Sequence, residues 1–402
     1  MNSASASSFR TPTRRVLVLD GRTRQSLSVT RALGRRGLTV DVGEWLRLSL
    51  AMSSKYCRRR VVYPNPELKP AGFIAFLEST LETGGYDLVI PNSDTTVELL
   101  AAHRDALGLH TIIPLPSIDA VARILDKGQL IKHATAIGIP CPTTHFFEDP
   151  AEVRASSTTF DYPMVIKPRI SGGALGLRIV DTPDELNRQY LAVSSTFPRP
   201  LIQEYIPDGG GKFTYAGIIG ASGEEKASFV HEYLRLYPPT AGVGTYARSA
   251  RYDGVRGFGS HLLNSLHYRG VAEVEFKVDP RDGTPKLLEI NPRFWGMTEV
   301  AVRAGMDLPF HLYSSFVEGD REFAGDYETD VFVRWMLPGE ILHLIANWRN
   351  IENKAAFLRS TEPNTHYYVI SRDDPRPALM TPITAFYSLF NRQTRQLVFR
   401  HR

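Results

Sequence analysis

A chain of 402 residues can hold two or three domains around sizeable cores, and its residue usage is that of an ordinary soluble globular protein. A formal net charge of +4 is too small at this length to argue for nucleic acid as a partner. Two cysteines, Cys57 and Cys141, exclude a disulfide framework and a cysteine metal cluster and fit a reducing cytoplasm. No apolar run reaches the roughly 18 residues of a membrane span.

Met1 to Arg15 is Ser-rich, holds Arg10, Arg14 and Arg15, and has no acid. It lacks the apolar stretch of a secretory signal, so residues 1–14 are expected to be a disordered leader rather than a transit peptide. Arg15 to Asp20 is a buried-type strand, followed by a helical pattern to about Arg36 and a second strand, Leu38 to Val42. Pro70 to Glu82 and Thr95 to Leu107 read as helices around the strand Asp87 to Pro91, and Thr111 to Pro114 closes the series. Apolar strands alternating with helices predict a parallel sheet covered on both faces over residues 15–120. Its first strand–helix turn, Asp20 to Gln25, has one glycine where a dinucleotide fingerprint needs three, which rules against a nicotinamide enzyme. Arg22 to Arg24 and Asn92, Ser93 and Asp94 sit at strand ends, where open α/β sheets bind ligands. Ser93 and Asp94 serve equally as helix caps.

After a helix over Leu125 to Ile137 the pattern changes. Short strands, one clear helix and Gly-rich turns predict a small α+β lobe over residues 121–206. Here Lys167 ends the apolar strand Tyr162 to Ile166, and the loop Ser171-Gly172-Gly173-Ala174-Leu175-Gly176 follows. Glycines let backbone N–H groups approach phosphate oxygens, and a lysine beside them supplies a point charge. A flexible hairpin with a solvated lysine fits those residues too. Leu201 to Asp208 is a strand ending in a polar turn; Gln203, Glu204, Tyr205, Ile206 and Asp208 could meet an adenine and a ribose, or simply lead into the turn. Longer strands resume over residues 207–325, and residues 326–402 are expected to be a mostly helical extension. Its last part, Pro382 to Arg402, is apolar and Arg-rich; it is expected to pack on the protein itself, with peripheral contact to a membrane as the other reading.

Within 207–325, Gly270 to Asp279 and Lys286 to Gly296 alternate with period two around the turn Pro280-Arg281-Asp282-Gly283, which predicts a hairpin. Ala272, Val274, Phe276 and Val278 form one face with Leu288, Ile290 and Pro292. The opposite face carries Glu273, Glu275, Lys277 and Asp279 with Glu289, Asn291 and Arg293. If the apolar faces coincide, Glu275 lies near Glu289 and Asn291. Like charges across a strand pair repel, and a hard cation such as Mg²⁺, which takes oxygen ligands, would relieve that. A solvated surface sheet is the plain alternative.

The order Asp126-Lys127, Val165-Ile166-Lys167-Pro168, Ser171 to Gly176, Gln203 to Ile206, Glu275-Phe276 and Glu289-Ile290-Asn291-Pro292-Arg293 resembles the ATP-grasp superfamily. The likeness is to stand-alone carboxylate–amine ligases related to carbamoyl-phosphate synthase and biotin carboxylase, and it spans about residues 15–320. The resemblance implies α/β plus α+β architecture, an ATP-grasp fold behind a parallel-sheet pre-ATP-grasp domain. It implies ATP between two lobes, with Lys127 and Lys167 on the phosphates and Ser171 to Gly176, including Gly172 and Gly173, closing as a lid. It implies Gln203, Glu204, Tyr205 and Ile206 on adenine and Asp208 on ribose. Glu275, Glu289 and Asn291 would hold Mg²⁺ or Mn²⁺, and Arg293 would stabilise the transferring phosphoryl group. Pro238-Pro239 and Gly242-Val243-Gly244-Thr245 are similar to a Pro-Pro-x-x-Gly-Gly-x-Ser loop of that group, from which Val243 and Thr245 depart. Arg248 and Arg251 are candidates for a substrate carboxylate, with surface ion pairs as the equal alternative. Phe294-Trp295-Gly296 could wall the acceptor site but is expected to pack in the core, and His231, with no metal partner in the sequence, is expected to be a packed or surface residue.

The implied reaction phosphorylates a carboxylate with ATP and lets an amine attack the acyl phosphate, giving an amide, ADP and phosphate. Small-molecule carboxylate and amine substrates, a cytoplasmic setting and compatibility with a homodimer follow from the same likeness. A bicarbonate-activating enzyme, a phosphotransferase on the same fold and a non-catalytic nucleotide-binding protein are the rival expectations.

Overall fold

The computed structural model describes residues 12–172, 175–239, 242–319, 325–351, 354–359 and 362–390. Residues 1–11 of the expected leader, Gly173 and Ala174 of the expected lid, Thr240 and Ala241 of the loop after Pro238-Pro239, and residues 391–402 of the Arg-rich tail lie outside them.

The first sheet holds β1 (Arg15–Val18), β2 (Thr39–Glu44), β3 (Cys57–Val62) and β4 (Leu88–Ile90), all parallel in the order β3-β2-β1-β4. Along β1 the side chains alternate between two cores. Val16 and Val18 join one cluster, while Leu17 joins another with Phe73, Leu77 and Val97 from the helices over Pro70–Gly84 and Asp94–Ala102. That is how a sheet covered on both faces reads. The expected strand at Thr111 to Pro114 shrinks to one bridge, Leu88 with Ile112. Ser93 caps its helix, accepting from Thr96 N.

The second sheet is small and antiparallel: β5 (Thr144–His145), β6 (Met164–Lys167), β7 (Arg178–Val180) and β8 (Leu201–Glu204), in the order β5-β8-β6-β7. Met164, Ile166, Val180 and Ile202 face Val153, Leu186 and Tyr190 of two covering helices. The period of two then sends Val165, Lys167, Ile179 and Gln203 to the other side.

The third sheet has seven strands: β9 (Lys212–Ile219), β10 (Glu225–Tyr237), β11 (Val243–Ala250), β12 (Gly270–Val278), β13 (Pro285–Asn291), β14 (Phe332–Arg334) and β15 (Thr365–Tyr367). Their order is β13-β12-β9-β10-β11-β14-β15. One face, with Tyr215, Val274 and Phe276, packs against Leu262 of the Asp253–Ser265 helix and Leu130 of the Lys127–Ala136 helix. On the other face Ala216, Phe229 and Trp295 share a core with Val16 and Leu27 of the N-terminal sheet region, so the two are packed as one body.

The C-terminal residues, expected to be a mostly helical extension, add β14 and β15 to this sheet as well as helices such as Arg376–Phe390. Buried Arg31 ties them down, donating to Asp374 at 2.9 Å and to the carbonyls of Tyr368 and Val369. Among the described residues no helix is long and apolar enough to cross a membrane.

Candidate active site

β12 and β13 pair antiparallel, with Glu275 directly opposite Glu289 and Glu273 opposite Asn291. The register shifts between Glu275 and Phe276: Phe276 faces Leu287, so Leu288 has no partner residue. This bulge corrects the expected alternation. Leu287 and Ile290 are the core residues, and Leu288 turns to the cleft. A bulge re-aims side chains and frees backbone groups from the ladder. The freed Leu288 carbonyl accepts a hydrogen bond from Lys167 Nζ at 3.0 Å, linking the small sheet to the large one.

The ladders set the acidic side of the ribbon in rows across the sheet. Glu289, Glu275, Thr214 and His231 are consecutive partners from β13 to β10. Lys286, Lys277, Lys212 and Tyr233 form the next row. This side is not solvated, as the plain alternative required: Glu273 is 1% and Glu275 7% exposed.

A cleft of about 430 Å³ opens between the small and large sheets. Twelve expected residues line it: Lys127, Lys167, Ser171, Gln203, Glu204, Tyr205, Ile206, Asp208, Glu275, Glu289, Asn291 and Arg293. Val165, Leu177, Ile179 and Leu288 give one end of it apolar walls. Lys127 is the first residue of a helix capped by Asp126, whose carboxylate also pairs with Arg169 at 2.7 Å. Its Nζ lies 3.4 Å from Glu289 and donates to the Ser171 carbonyl at 2.6 Å.

Charge in the cleft is finely opposed. Burial would raise the Glu289 carboxyl, but the ammonium groups of Lys127, Lys167 and Lys212 outweigh it and hold it low. Burial, with help from Lys127 and Lys212, depresses Lys167 to about 8. Glu273 is pushed well above the usual carboxyl range by burial and by Glu275. It accepts from Tyr233 Oη at 2.8 Å and from Asn291 Nδ2 at 2.9 Å. Buried His231 is depressed to about 3, so its 3.9 Å approach to Glu273 is not an ion pair. His231 stacks on Trp295 and hydrogen-bonds Thr214, the packed one of the two roles expected of it. Arg293 is fixed by Asp94 at 2.7 Å, with Nη2 on Asn291 Oδ1 at 3.2 Å.

Other expected residues are placed elsewhere. Arg248 pairs with Glu232 and Asp330, and Arg251 with Asp326, all outside this cleft. Asn92 and Ser93 serve Asp20: Asn92 N donates to Oδ2 at 2.8 Å and Ser93 Oγ to Oδ1 at 3.1 Å. Asp94 acts on the cleft through Arg293. Gly172 does not line it, and Gly176 takes a positive φ of 77°, where a side chain would strike Pro168 and Phe197. That makes Gly176 a turn residue of the small lobe. Asp208 pairs with Lys277 at 2.7 Å, while Glu204 is met by Lys286 and Arg281.

Two cleft residues escaped sequence reasoning. Lys212 reaches Glu275 at 2.6 Å. It follows Gly209-Gly210-Gly211, the same glycine-plus-lysine signal that drew attention to Lys167. Alternation places Glu273 on the same polar face as Glu275 but does not set it apart from Lys277 and Asp279 on that face. Among the described residues no three His, Cys, Asp or Glu side chains gather as a metal site; the ribbon offers two carboxylates and one amide.

The chain is similar in sequence and in fold to several known proteins. Residues 126–202 match the family model described as carbamoyl-phosphate synthase L chain, ATP binding domain. D-aspartate ligase of Enterococcus faecium is 24% identical over 258 residues, covering 59% of this chain. The chain thus spans only 59% of the length of that ligase. D-alanine–D-alanine ligase of Gloeobacter violaceus is 27% identical over 277 residues, 58% of this chain and 88% of that one. Biotin carboxylase of Campylobacter jejuni superposes with a TM-score of 0.65 at 14% identity, over 78% of this chain and 73% of that one.

Proposed function

We propose that this chain, whose fold is that of the ATP-grasp proteins it resembles, is an ATP-dependent ligase joining a carboxylate to an amine through an acyl phosphate. One observation carries the reading: Glu275 faces Glu289 across a ladder, inside a cleft that also brings Lys127, Lys167 and Arg293 to that pair.

The residues suit both nucleotide and metal. Val165, Ile179 and Leu288 offer an apolar slot for adenine, with the backbone at Glu204 to Ile206 as its donor and acceptor. Asp208, more exposed, would take the ribose hydroxyls in exchange for its pairing with Lys277. Lys127 and Lys167 neutralise phosphate oxygens as point charges. Glu275, Glu289 and the Asn291 amide oxygen would hold Mg²⁺, or Mn²⁺, which binds through one or two carboxylates completed by phosphates and water. That ion would screen the two carboxylates from each other and would supply positive charge to the phosphates.

A carboxylate is a poor acyl donor because oxide is a poor leaving group. Attack of its oxygen on the terminal phosphorus of ATP gives an acyl phosphate and ADP. The amine then adds to the acyl carbon, phosphate departs, and an amide remains. Positioning and charge neutralisation are the protein's share of such a transfer. Arg293, braced by Asp94, is aimed at charge that grows on the transferring group. Ser171 and its neighbours keep water from the acyl phosphate. Two free cysteines suit a cytoplasmic enzyme.

The test is ADP release against a panel of amino acids and carboxylates, with mass spectrometry of the product. ADP release that needs both an acid and an amine supports the reading. AMP with pyrophosphate would exclude an acyl phosphate, and ATP hydrolysis driven by bicarbonate alone would favour a carboxyphosphate enzyme.

A further inference from the structure

The helix Arg376–Phe390 meets the rest of the protein along one side. Pro377 on that side is buried, and Ala378 and Tyr387 pack against the two cores that flank the first sheet. At about 100° per residue, Arg376, Leu379, Pro382, Ile383 and Phe386 share roughly one third of the turn on the opposite side. All five are exposed, Leu379 at 72% and Ile383 at 51%. A row of apolar side chains thus stands where a surface helix ordinarily carries polar ones.

A basic surface adjoins this row. The helix touches the Ala51–Ser53 turn, and Arg60 Nε donates to the Met52 carbonyl of the same turn at 3.0 Å. Arg60 lies on β3, the edge strand of its sheet, where Arg58, Arg59 and Arg60 are all exposed. Lys55, also exposed, is tied to the start of the helix, its backbone N–H donating to Asp374 at 2.9 Å. The nearby acids are already answered: Asp373 pairs with Arg35 at 3.0 Å and Asp374 with Arg31 at 2.9 Å. Among the described residues no carboxylate pairs with Lys55, Arg58, Arg60 or Arg376. The sequence holds no acid from Trp45 to Pro66, nor from Pro375 to Arg402. Arg376 stands in the first turn of its helix, where the helix dipole disfavours a cation and no acid offsets it.

Basic residues on an edge strand discourage edge-to-edge pairing, which accounts for Arg58 to Arg60 but not for Arg376 or the apolar row. A nucleic acid would answer the charge and leave Leu379 and Ile383 in water. An anionic lipid surface answers both, because apolar side chains enter the boundary between headgroups and acyl chains while arginines meet the lipid phosphates. A helix of 15 residues lies along such a boundary and is too short to cross it.

We propose that the helix Arg376–Phe390 and the neighbouring cations of β3 dock the protein on an anionic lipid bilayer, with the helix in the plane of the interface. The inference is independent of the ligase reading.

The test is co-sedimentation of the full chain with vesicles of phosphatidylcholine alone and with vesicles that are about one third phosphatidylglycerol. The wild type is expected to sediment with the anionic vesicles and not with the neutral ones, and less so as salt rises. Leu379→Gln with Ile383→Gln is expected to weaken binding about tenfold or more. Arg58→Gln with Arg376→Gln is expected to weaken it about 25-fold, near fivefold per cation. All four side chains are exposed, so the unfolding transitions of both variants are expected to match the wild type. No sedimentation of the wild type with anionic vesicles, or binding that either double variant leaves intact, would overturn the inference. Tighter binding of a single-stranded RNA, unchanged by Leu379→Gln with Ile383→Gln, would make the basic surface a nucleic-acid site and overturn it too.

Discussion

Replacing Lys167 by methionine should make the ligand-free protein more stable while stopping its chemistry. Burial holds this ammonium at about 8, some 2.5 below its ordinary 10.5. The unfolded chain then binds more protons than the folded one between pH 8 and 10.5, so in this window stability rises with pH and the folded state is penalised below it. At about 1.4 kcal/mol per unit, the penalty at pH 7 is at most ~3 kcal/mol, and partial exposure of the side chain reduces it. Methionine keeps the apolar stem and removes the charge, but it leaves the Leu288 carbonyl without its donor, a loss of about 1 kcal/mol. The net expectation is a gain of ~1–2 kcal/mol at pH 7, shrinking to nothing or reversing by pH 10.5. ADP release should fall about 100-fold or more, as when one preorganised electrostatic contact is lost. Urea unfolding at pH 7 and pH 10 reads the first effect and a coupled ADP assay the second. A variant less stable than wild type at pH 7, or one with normal turnover, would refute this reasoning.

Glu289→Gln should lower ADP release by roughly 100-fold or more. Its unfolding free energy at pH 7 should fall by about 1–3 kcal/mol, because neutralising a carboxylate that three ammonium groups hold low removes their stabilisation, partial exposure discounting it; turnover within about threefold of normal would count against the metal assignment. His231→Gln should resist acid better than wild type. The folded histidine titrates near 3 and the unfolded one near 6.5, so its contribution is whole above 6.5 and is lost as pH falls, by about 2 kcal/mol at pH 5. Parallel acid-unfolding curves for the two proteins would contradict a neutral buried ring.

The acidic ribbon was legible because alternation survives through Glu289, and the turn Pro280 to Gly283 sets an antiparallel pair. What alternation could not show was the bulge at Leu288, which depends on how β13 meets β12 and not on either strand alone. Nor could it show that Glu273 is buried, since a period of two distinguishes faces but not what covers them. Arg248 and Arg251 had the right chemistry for a carboxylate, yet their positions on and just after β11 meet Glu232, Asp326 and Asp330 first. β14 and β15 are three residues each, too short for periodicity, and are strands only because β11 leaves an edge for them.

The central claim is that this cleft transfers a phosphoryl group to a carboxylate oxygen before the amine enters. An acid labelled with ¹⁸O in its carboxylate, supplied with ATP, Mg²⁺ and the amine, tests it directly by mass spectrometry of the phosphate released. One labelled oxygen in that phosphate is the expected result. Unlabelled phosphate beside a formed amide would contradict it.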